Sequence, residues 1–539
     1  MRKVVLLSIG SFISVITVSQ PSYLIKGSPY DHLIDRLEIK GRANGLNHSF
    51  SKPINERFLF EDIRRIDSAA GTYKLTPIDR HHLQRFLSNR DTRIVVPSKH
   101  PLQETGNLIV AGNDKAYIIA NPLLSIQQSF DVSEKNAHLY SSGATARGAL
   151  GKLGYHFYLT ANHEELPCYM HSWMNRYQTV PGYDEPTVNH TASRYWDLRW
   201  SIQTSIGKLI DLQLGNDRLF IGNGHRSLFL SDIAGNMLFF KFNTRVWIMN
   251  FQSIYAKLNT QRGVVDRGDI KKFYRMNAVD FNVSKWLNVG VFEALISGRE
   301  NHFDLNYIMP FTFLRAMERH SGSPDNAMIG LNVKANLKKQ WQFYFQALAD
   351  EFKVSEVTGG KGWWANKFGY QAGAKYIDAF GIKNLDLQGE FNKARPFTYS
   401  HFDSVANYSH NNQPMAHPLG ANFQELIGIV RYQPSKRLYL EGKLVYYTQG
   451  LDSAGANMGN NVLTPYLTRP YEYGWKIGNG DKVNCVFVSA SASYAIRENL
   501  FIDMTVTGRK FSTELSGTDN TVMIQMGIRW NVAKRVFDY

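Results

Sequence analysis

Two periods of hydrophobic and polar residues divide the chain. Between Asp31 and about Arg90 apolar residues recur every three or four positions: Leu33, Ile34, Leu37 and Ile39, then Phe58, Phe60, Ile63 and Ile66 around Glu61, Asp62, Arg64 and Arg65. That spacing lines one face of a helix. A third helix is expected from Thr76, with Pro77 at the first helical position and Leu83 and Phe86 as its buried stripe. The region predicts a small helical bundle.

From about Lys115 the period becomes two. Val522, Ile524, Met526, Ile528 and Trp530 fall on one face of a strand, and Met523, Gln525, Gly527, Arg529 and Asn531 on the other. Leu500, Ile502, Met504 and Val506 alternate with Phe501, Asp503, Thr505 and Thr507 in the same way, as do Leu385, Leu387, Gly389 and Phe391 with Asp386, Gln388, Glu390 and Asn392. Alternation alone fits a soluble sandwich as well as a membrane barrel, since both expose one apolar and one polar face per strand. Strand number and length separate them. Strands are predicted at 115–131, 141–150, 153–163, 194–206, 209–216, 237–246, 247–258, 274–283, 286–297, 327–337, 340–350, 367–378, 384–392, 422–432, 437–448, 485–495, 499–508 and 520–531. That is about 18, an even number, and most approach the roughly 9–11 residues with which a tilted strand crosses a bilayer. Short links at Gly151-Lys152, Gln433-Pro434-Ser435 and Arg497-Glu498 contrast with long ones at 164–193, 393–421 and 449–484, the loop asymmetry of outer-membrane barrels. The fold expected is an all-β transmembrane barrel of about 18 antiparallel strands behind a small N-terminal α-helical domain.

Composition agrees. Of 539 residues, 28 are Tyr, 32 Phe and 10 Trp, beside 42 Gly. The mean hydropathy is only −0.31, as expected when lipid-facing residues alternate with polar ones. Arg2 and Lys3, the apolar run Val4 to Val18, and the small-residue pattern Thr17-Val18-Ser19 read as an export signal. The division expected is a signal peptide at 1–19, a periplasmic helical domain at 24–110 and an outer-membrane barrel at 111–539. No later run approaches the length of an apolar membrane helix. Phe537 and Tyr539 put aromatics after the final strand, compatible with outer-membrane assembly.

The formal charge of +15 suggests an anionic partner, and outside the cytoplasm lipopolysaccharide or acidic surface glycan is a better candidate than nucleic acid; scattered solvated charge explains the excess equally well. Cys168 and Cys485 are too few for a disulfide framework, although they could pair, and they have no metal-ligand spacing.

No segment carries a catalytic signature. Gly222-Asn223-Gly224 and Gly359-Gly360-Lys361-Gly362 read as turns, and Asp79, His81 and His82 as solvated helix surface. The acid pairs Asp386/Glu390 and Glu164/Glu165 read as ion-pair partners rather than a glycosidase dyad. The expectation is a protein that is not an enzyme and uses no cofactor or metal. Arg147, Arg199, Lys241, Arg245, Lys334 and Arg529 fall on inferred lumen faces. Their favoured role is pairing with Asp197, Asp211, Asp386, Glu390 and Glu441; the functional alternative is binding an anionic glycan. Trp363, Trp364, Tyr408, Tyr466 and Tyr473 in long loops offer stacking faces for sugar rings, or serve as interfacial belt and loop packing.

Several stretches carry a family resemblance. Arg147-Gly148-Ala149-Leu150-Gly151-Lys152-Leu153-Gly154-Tyr155, continuing through Leu159-Thr160-Ala161-Asn162-His163-Glu164, resembles a hairpin of the Wzi-type capsule-assembly family, as does the run from Leu214 through Gly222-Asn223-Gly224-His225-Arg226 to Asp232. Phe313-Leu314-Arg315-Ala316-Met317-Glu318 and Gln413-Pro414-Met415-Ala416-His417-Pro418-Leu419-Gly420-Ala421-Asn422 are similar to other parts of it. The opening Asp31-His32-Leu33-Ile34-Asp35-Arg36-Leu37-Glu38-Ile39-Lys40 resembles the gliding-motility RemB-like branch. His163 and Glu164 depart from the group's more usual amide pattern. The resemblance implies an eighteen-stranded outer-membrane barrel with a periplasmic helical bundle. It further implies a surface lectin organising capsular polysaccharide, or in the gliding branch a role in adhesion or motility. The partners implied are anionic or neutral surface polysaccharide, lipopolysaccharide and outer-membrane lipid, and other surface or motility proteins. The alternative function is a solute channel or transporter.

Overall fold

A computed structural model describes residues 23–24, 30–42, 44–69, 72–88, 107–113, 115–132, 135–183, 192–207, 209–260, 270–300, 307–321, 325–351 and 353–539. The expected export signal at 1–19 lies outside the described residues. Long strands follow one another in chain order around a closed antiparallel barrel. They are β1 (Ala116–Asp131), β2 (Ala137–Leu150), β3 (Leu153–Glu165), β4 (Ala192–Ile206), β5 (Ile210–Asp217), β6 (Met237–Val246), β7 (Met249–Leu258), β8 (Ile270–Ser284) and β9 (Leu287–Glu300). The circuit continues through β10 (Asn326–Leu337), β11 (Trp341–Glu351), β12 (Lys367–Tyr376), β13 (Leu385–Ala394), β14 (Phe423–Tyr432), β15 (Leu438–Leu451), β16 (Asp481–Arg497), β17 (Leu500–Thr513) and β18 (Gly517–Trp530). All eighteen strands read from the alternation are present, most of them somewhat longer than expected.

The circuit closes where β18 pairs with β1, from Met523 opposite Asp131 to Trp530 opposite Leu124. A short strand, Ile109–Gly112, takes up the rest of that edge of β1. Outward positions such as Ile126, Phe130, Ile502, Met504, Val522 and Met526 are exposed, whereas Ser125, Gln127, Ser129, Asp503 and Thr507 between them are buried inside. Trp247 and Trp286, beside the short turns, are exposed as an interfacial aromatic belt requires.

The helical region folds as α1 (Asp31–Gly41), α2 (Asn44–Asn47), α3 (Glu56–Ser68) and α4 (Pro77–Ser88). Leu33, Ile34, Leu37, Ile63, Ile66, Leu83 and Phe86 form its core, as the helical period requires. Thr76 and Asp79 cap α4 reciprocally: the Asp79 amide donates to Thr76 Oγ1 and the Thr76 amide to Asp79 Oδ2, both at 3.0 Å. Asp79 is not solvated surface. α4 docks on the barrel, and Asp79 accepts from Arg36 Nε at 2.8 Å and Lys40 Nζ at 2.7 Å.

The helices close the short-turn end. Glu38 accepts from Lys334 Nζ on β10 at 2.7 Å, from Ser49 Oγ at 2.5 Å, and from Asn336 and Gln342 at 3.2 Å. Arg36 donates to Asp386 on β13 at 2.5 Å, Lys375 on β12 donates to Asp35 at 2.7 Å, and His48 hydrogen-bonds Asp280 on β8.

The interior is not the wet lumen that alternation suggests. Two long segments from the opposite end fold inward, 218–236 after β5 and 395–422 after β13. Phe220–Ile221 reaches far enough to pair with Ser51–Lys52 of the helical region. Leu219, Leu228, Phe229, Leu230, Tyr399, Tyr408 and Met415 build an apolar core inside the barrel, with Phe229 stacked on Phe292 of β9 at 4.4 Å. Residues 531–539 also turn inward. Asp538 pairs with Arg226 at 2.8 Å and Lys443 at 2.7 Å, and Tyr169 donates to the Phe537 carbonyl at 2.9 Å. Tyr539 and Phe537 therefore pack inside the barrel, not on its lipid face. Cys168 and Cys485 do not form a disulfide with each other.

Glu38→Ala leaves Lys334 buried without its carboxylate, so helical docking is expected to weaken by about 3–5 kcal/mol. Limited proteolysis should then cut residues 31–88 while the barrel keeps its folded mobility on unheated gels. Burial alone would raise the Asp79 carboxyl, but Arg36 and Lys40 override it and hold it well below its ordinary 3.8. A carboxyl lowered in the folded state contributes stability that is complete above its unfolded pKa and lost as pH falls below it. Protection of the helices should therefore persist from neutral pH to about pH 4 and decline below that. In planar bilayers, a barrel filled in this way is expected to show no steady open-pore current.

Candidate functional site

The lumen-face cations named from sequence are mostly committed to internal contacts. Arg199 donates to Asp197 at 2.5 Å and lies 4.9 Å over the Tyr158 ring. Arg529 donates to Asp503 at 2.6 Å and lies 4.1 Å over Phe501. Arg245 donates to Asn250 at 3.1 Å, and Arg147 lies opposite His156 on the inner face. Lys334 and Lys241 reach the helical region, Lys334 through Glu38 and Lys241 through Ser51 Oγ at 3.3 Å. The acids expected as their partners divide differently. Asp197 takes Arg199 and Glu441 takes Arg431, but Asp386 takes Arg36. Glu390 accepts the backbone amides of His225 at 2.6 Å and Arg226 at 3.0 Å and the Tyr344 hydroxyl at 2.8 Å. Gly222-Asn223-Gly224 is the turn that permits this: a Cβ on Gly224 would lie 2.4 Å from the Glu390 carboxylate. Glu164 accepts from Arg535 at 2.5 Å and Tyr195 at 2.7 Å. Neither Asp386/Glu390 nor Glu164/Glu165 stands as a free acid pair.

A different cluster stands open at the long-loop end, between segments 353–366 and 452–480. Gly360 and Gly362 adopt φ of +66° and +67°, and a Cβ on Gly362 would sit 2.8 Å from the Trp475 amide. This close approach lets Trp475 N donate to Gly362 O and Gly474 N to Lys361 O, each at 2.9 Å. The two segments are thereby clamped. Behind the clamp lies an aromatic wall: Tyr471 stacks on Trp475 at 4.2 Å, Phe397 meets Trp475 edge-on at 4.6 Å, and the Arg469 guanidinium lies 3.9 Å over Trp364. Trp364 donates to Glu472 at 2.7 Å. Trp364 and Trp363 thus mainly build the wall, as loop packing; Tyr408 is buried in the barrel core, and Tyr473 is exposed.

The wall backs an open cleft of about 330 Å³ lined by Lys361, Lys393, Arg395, Lys476, Trp475 and Glu356 among others. Among the described residues Glu356 is the one acid in its lining, and it lies 3.7 Å from Lys353 outside the lining. Arg395 donates to the carbonyls of Asn366 at 2.7 Å and Trp363 at 3.2 Å. Those bonds orient the guanidinium without neutralising it. Lys361, Lys393 and Lys476 have no ion pair among the described residues. The result is four cations converging on one solvent-open hollow, an arrangement suited to a carboxylate, phosphate or sulfate. None of the four was singled out from sequence. The one local signal was Lys361 within its glycine turn, beside Trp363 and Trp364.

Among solved structures, the chain is similar to Wzi of Escherichia coli, described as an outer membrane protein involved in group 1 capsule assembly and as a carbohydrate-binding β-barrel. The TM-score is 0.56 at 10% identity, covering 94% of this chain and 98% of that one. It is also similar to OprD of Pseudomonas aeruginosa, with a TM-score of 0.40 at 10% identity over 77% of this chain and 94% of that one. No family model and no curated protein sequence matches the chain. The likeness to Wzi shows the fold, a closed eighteen-stranded antiparallel barrel of the outer-membrane type.

Gly362→Ala places a methyl group against Trp475 at a left-handed φ and is expected to loosen the clamp at a cost of about 1–3 kcal/mol, without unfolding the barrel. Faster proteolysis within 452–480, with unchanged gel mobility of the unheated protein, is the outcome to look for.

Proposed function

We propose that the protein is a non-enzymatic outer-membrane barrel that binds and organises polysaccharide at the cell surface, with acidic chains held in the cleft between 353–366 and 452–480. The observation that carries this reading is the convergence of Lys361, Lys393, Arg395 and Lys476 on an open hollow whose lining contains one acid. In this reading the long loops face outward, the short-turn end and its helices face the periplasm, and the cleft stands at the cell surface. Exposed charge contacts contribute about 0.2–1 kcal/mol each, so a single sugar binds weakly. A polymer that presents many acidic residues to many copies of the protein is retained by multivalency instead.

A solute channel is less well supported, because the helices, the two inward segments and residues 531–539 occupy the path through the barrel. Non-enzymatic action is supported by the internal commitments of the acid pairs. Whether the retained glycan is capsule, or serves adhesion or gliding, is separated by a deletion strain examined for capsule retention and for surface spreading.

Purified protein should be retained on immobilised polyuronate more strongly than on dextran, with retention falling as salt rises. Lys361→Gln with Lys476→Gln should elute at distinctly lower salt. Equal retention of the wild type and the double variant would remove the cleft from the reading, and no retention of either on native surface polysaccharide would remove the function.

A further inference from the structure

The barrel wall that faces lipid carries a second site. Arg275 and Asn277 on β8 and Glu293 on β9 stand at outward positions, since their neighbours Tyr274, Met276, Phe292 and Ala294 belong to the core inside the barrel. Polar groups on that face are costly in hydrocarbon unless they are covered and hydrogen-bonded. The segment after β9 supplies the cover. Arg275 donates to the carbonyls of Tyr307 at 3.1 Å and of Met309 and Pro310 at 3.3 Å. Asn277 donates to Thr312 O at 2.8 Å, the Leu314 amide donates to Glu293 at 2.9 Å, and the Tyr255 hydroxyl donates to Ile308 O at 2.5 Å. Residues 307–314 are thus strapped to the outer wall, with the Phe311 ring packed on Phe251 at 4.8 Å and edge-on to Phe242 at 5.9 Å, and with Ile308, Met309 and Phe313 exposed.

Between this strap and strands β5–β8 lies a crevice of about 550 Å³. Ile308 and Pro310 wall one side, and Leu214, Leu238, Phe240 and Phe273 line the rest. Such walls suit hydrocarbon. Lys257 also lines the crevice. Lys257 pairs with Phe273 in register, which makes Lys271 its diagonal neighbour on the same outward face. Both lysines are exposed and neither has an ion pair among the described residues. They stand beside the long-loop ends of β7 and β8. With a strand rise of about 3.3 Å and a tilt near 40°, Lys257 lies roughly 20 Å above Met249, close to the top of an apolar band about 25 Å tall.

We propose that this crevice binds lipid A, the phosphorylated and multiply acylated glycolipid of an outer leaflet. One acyl chain lies in the crevice beside the strap, and a phosphate on the rigid diglucosamine sits between Lys257 and Lys271. The strap matters because its anchors hold the crevice open as a fixed wall, whereas ordinary bilayer contact needs none. The site lies on β5–β8, away from the cleft near β11–β13, and does not depend on glycan binding there.

Native mass spectrometry of the full chain in detergent, titrated with bis-phosphorylated hexa-acyl lipid A, phosphatidylglycerol or phosphatidylethanolamine, tests it. Wild type should retain one lipid A more firmly than either phospholipid. Each lysine near a membrane surface adds about fivefold to affinity, so Lys257→Gln with Lys271→Gln should weaken lipid A binding about 30-fold. Leu238→Trp, which fills the crevice and keeps both lysines, should weaken it as well, and Lys152→Gln at the short-turn end should not. The proposal is overturned if either the double-lysine or the Leu238 variant binds lipid A like wild type, if Lys152→Gln weakens it equally, or if phosphatidylglycerol binds as tightly as lipid A.

Discussion

Hydrocarbon offers no partner to a backbone N–H or C=O, and that constraint organises the molecule. A sheet that crosses a bilayer must satisfy every ladder position within itself, which requires its first and last strands to meet. Here β18 lies against β1 from Met523 to Trp530, and the short strand Ile109–Gly112 occupies the part of β1 that β18 leaves uncovered. Closure then assigns each strand one face to lipid and one to the interior, and the alternation along the chain becomes a difference in solvent.

The interior created by closure has to be filled or left as a pore, and here it is filled from both ends. From the short-turn end come helices whose attachment is ionic: Glu38 with Lys334, Arg36 with Asp386, Asp35 with Lys375. From the opposite end come apolar segments, and the two meet where Phe220–Ile221 pairs with Ser51–Lys52. The buried ion pairs specify register more than they add stability, because each charge has lost water and is compensated only by the particular partners that this docking brings to it. Residues 531–539 extend the same logic, with Asp538 meeting three basic side chains, His225, Arg226 and Lys443. A molecule so occupied presents open surfaces at its long-loop end and along its flank. The open cationic cleft and the strapped crevice are two such surfaces.

What the amino-acid order determines by itself is what depends on neighbours two to four residues apart. Leu385 to Asn392 shows its two faces locally, and so do the other strands, so their number and boundaries could be read within a few residues. The same holds for the helical stripes of Leu33, Ile34 and Leu37 and of Leu83 and Phe86. Tertiary structure alone decided what depends on contacts distant in the chain. Nothing local distinguishes a loop that caps a barrel from one that enters it, because Leu219, Phe220, Ile221, Leu228, Phe229 and Leu230 are apolar in either case and only the space inside makes their burial favourable. Asp79 reads as helix surface until α4 docks and Arg36 and Lys40 converge on it. Lys361, Lys393, Arg395 and Lys476 are unremarkable singly, and they become a site only because the Gly362–Trp475 clamp brings separate loops together, where charge acts through space rather than along sequence.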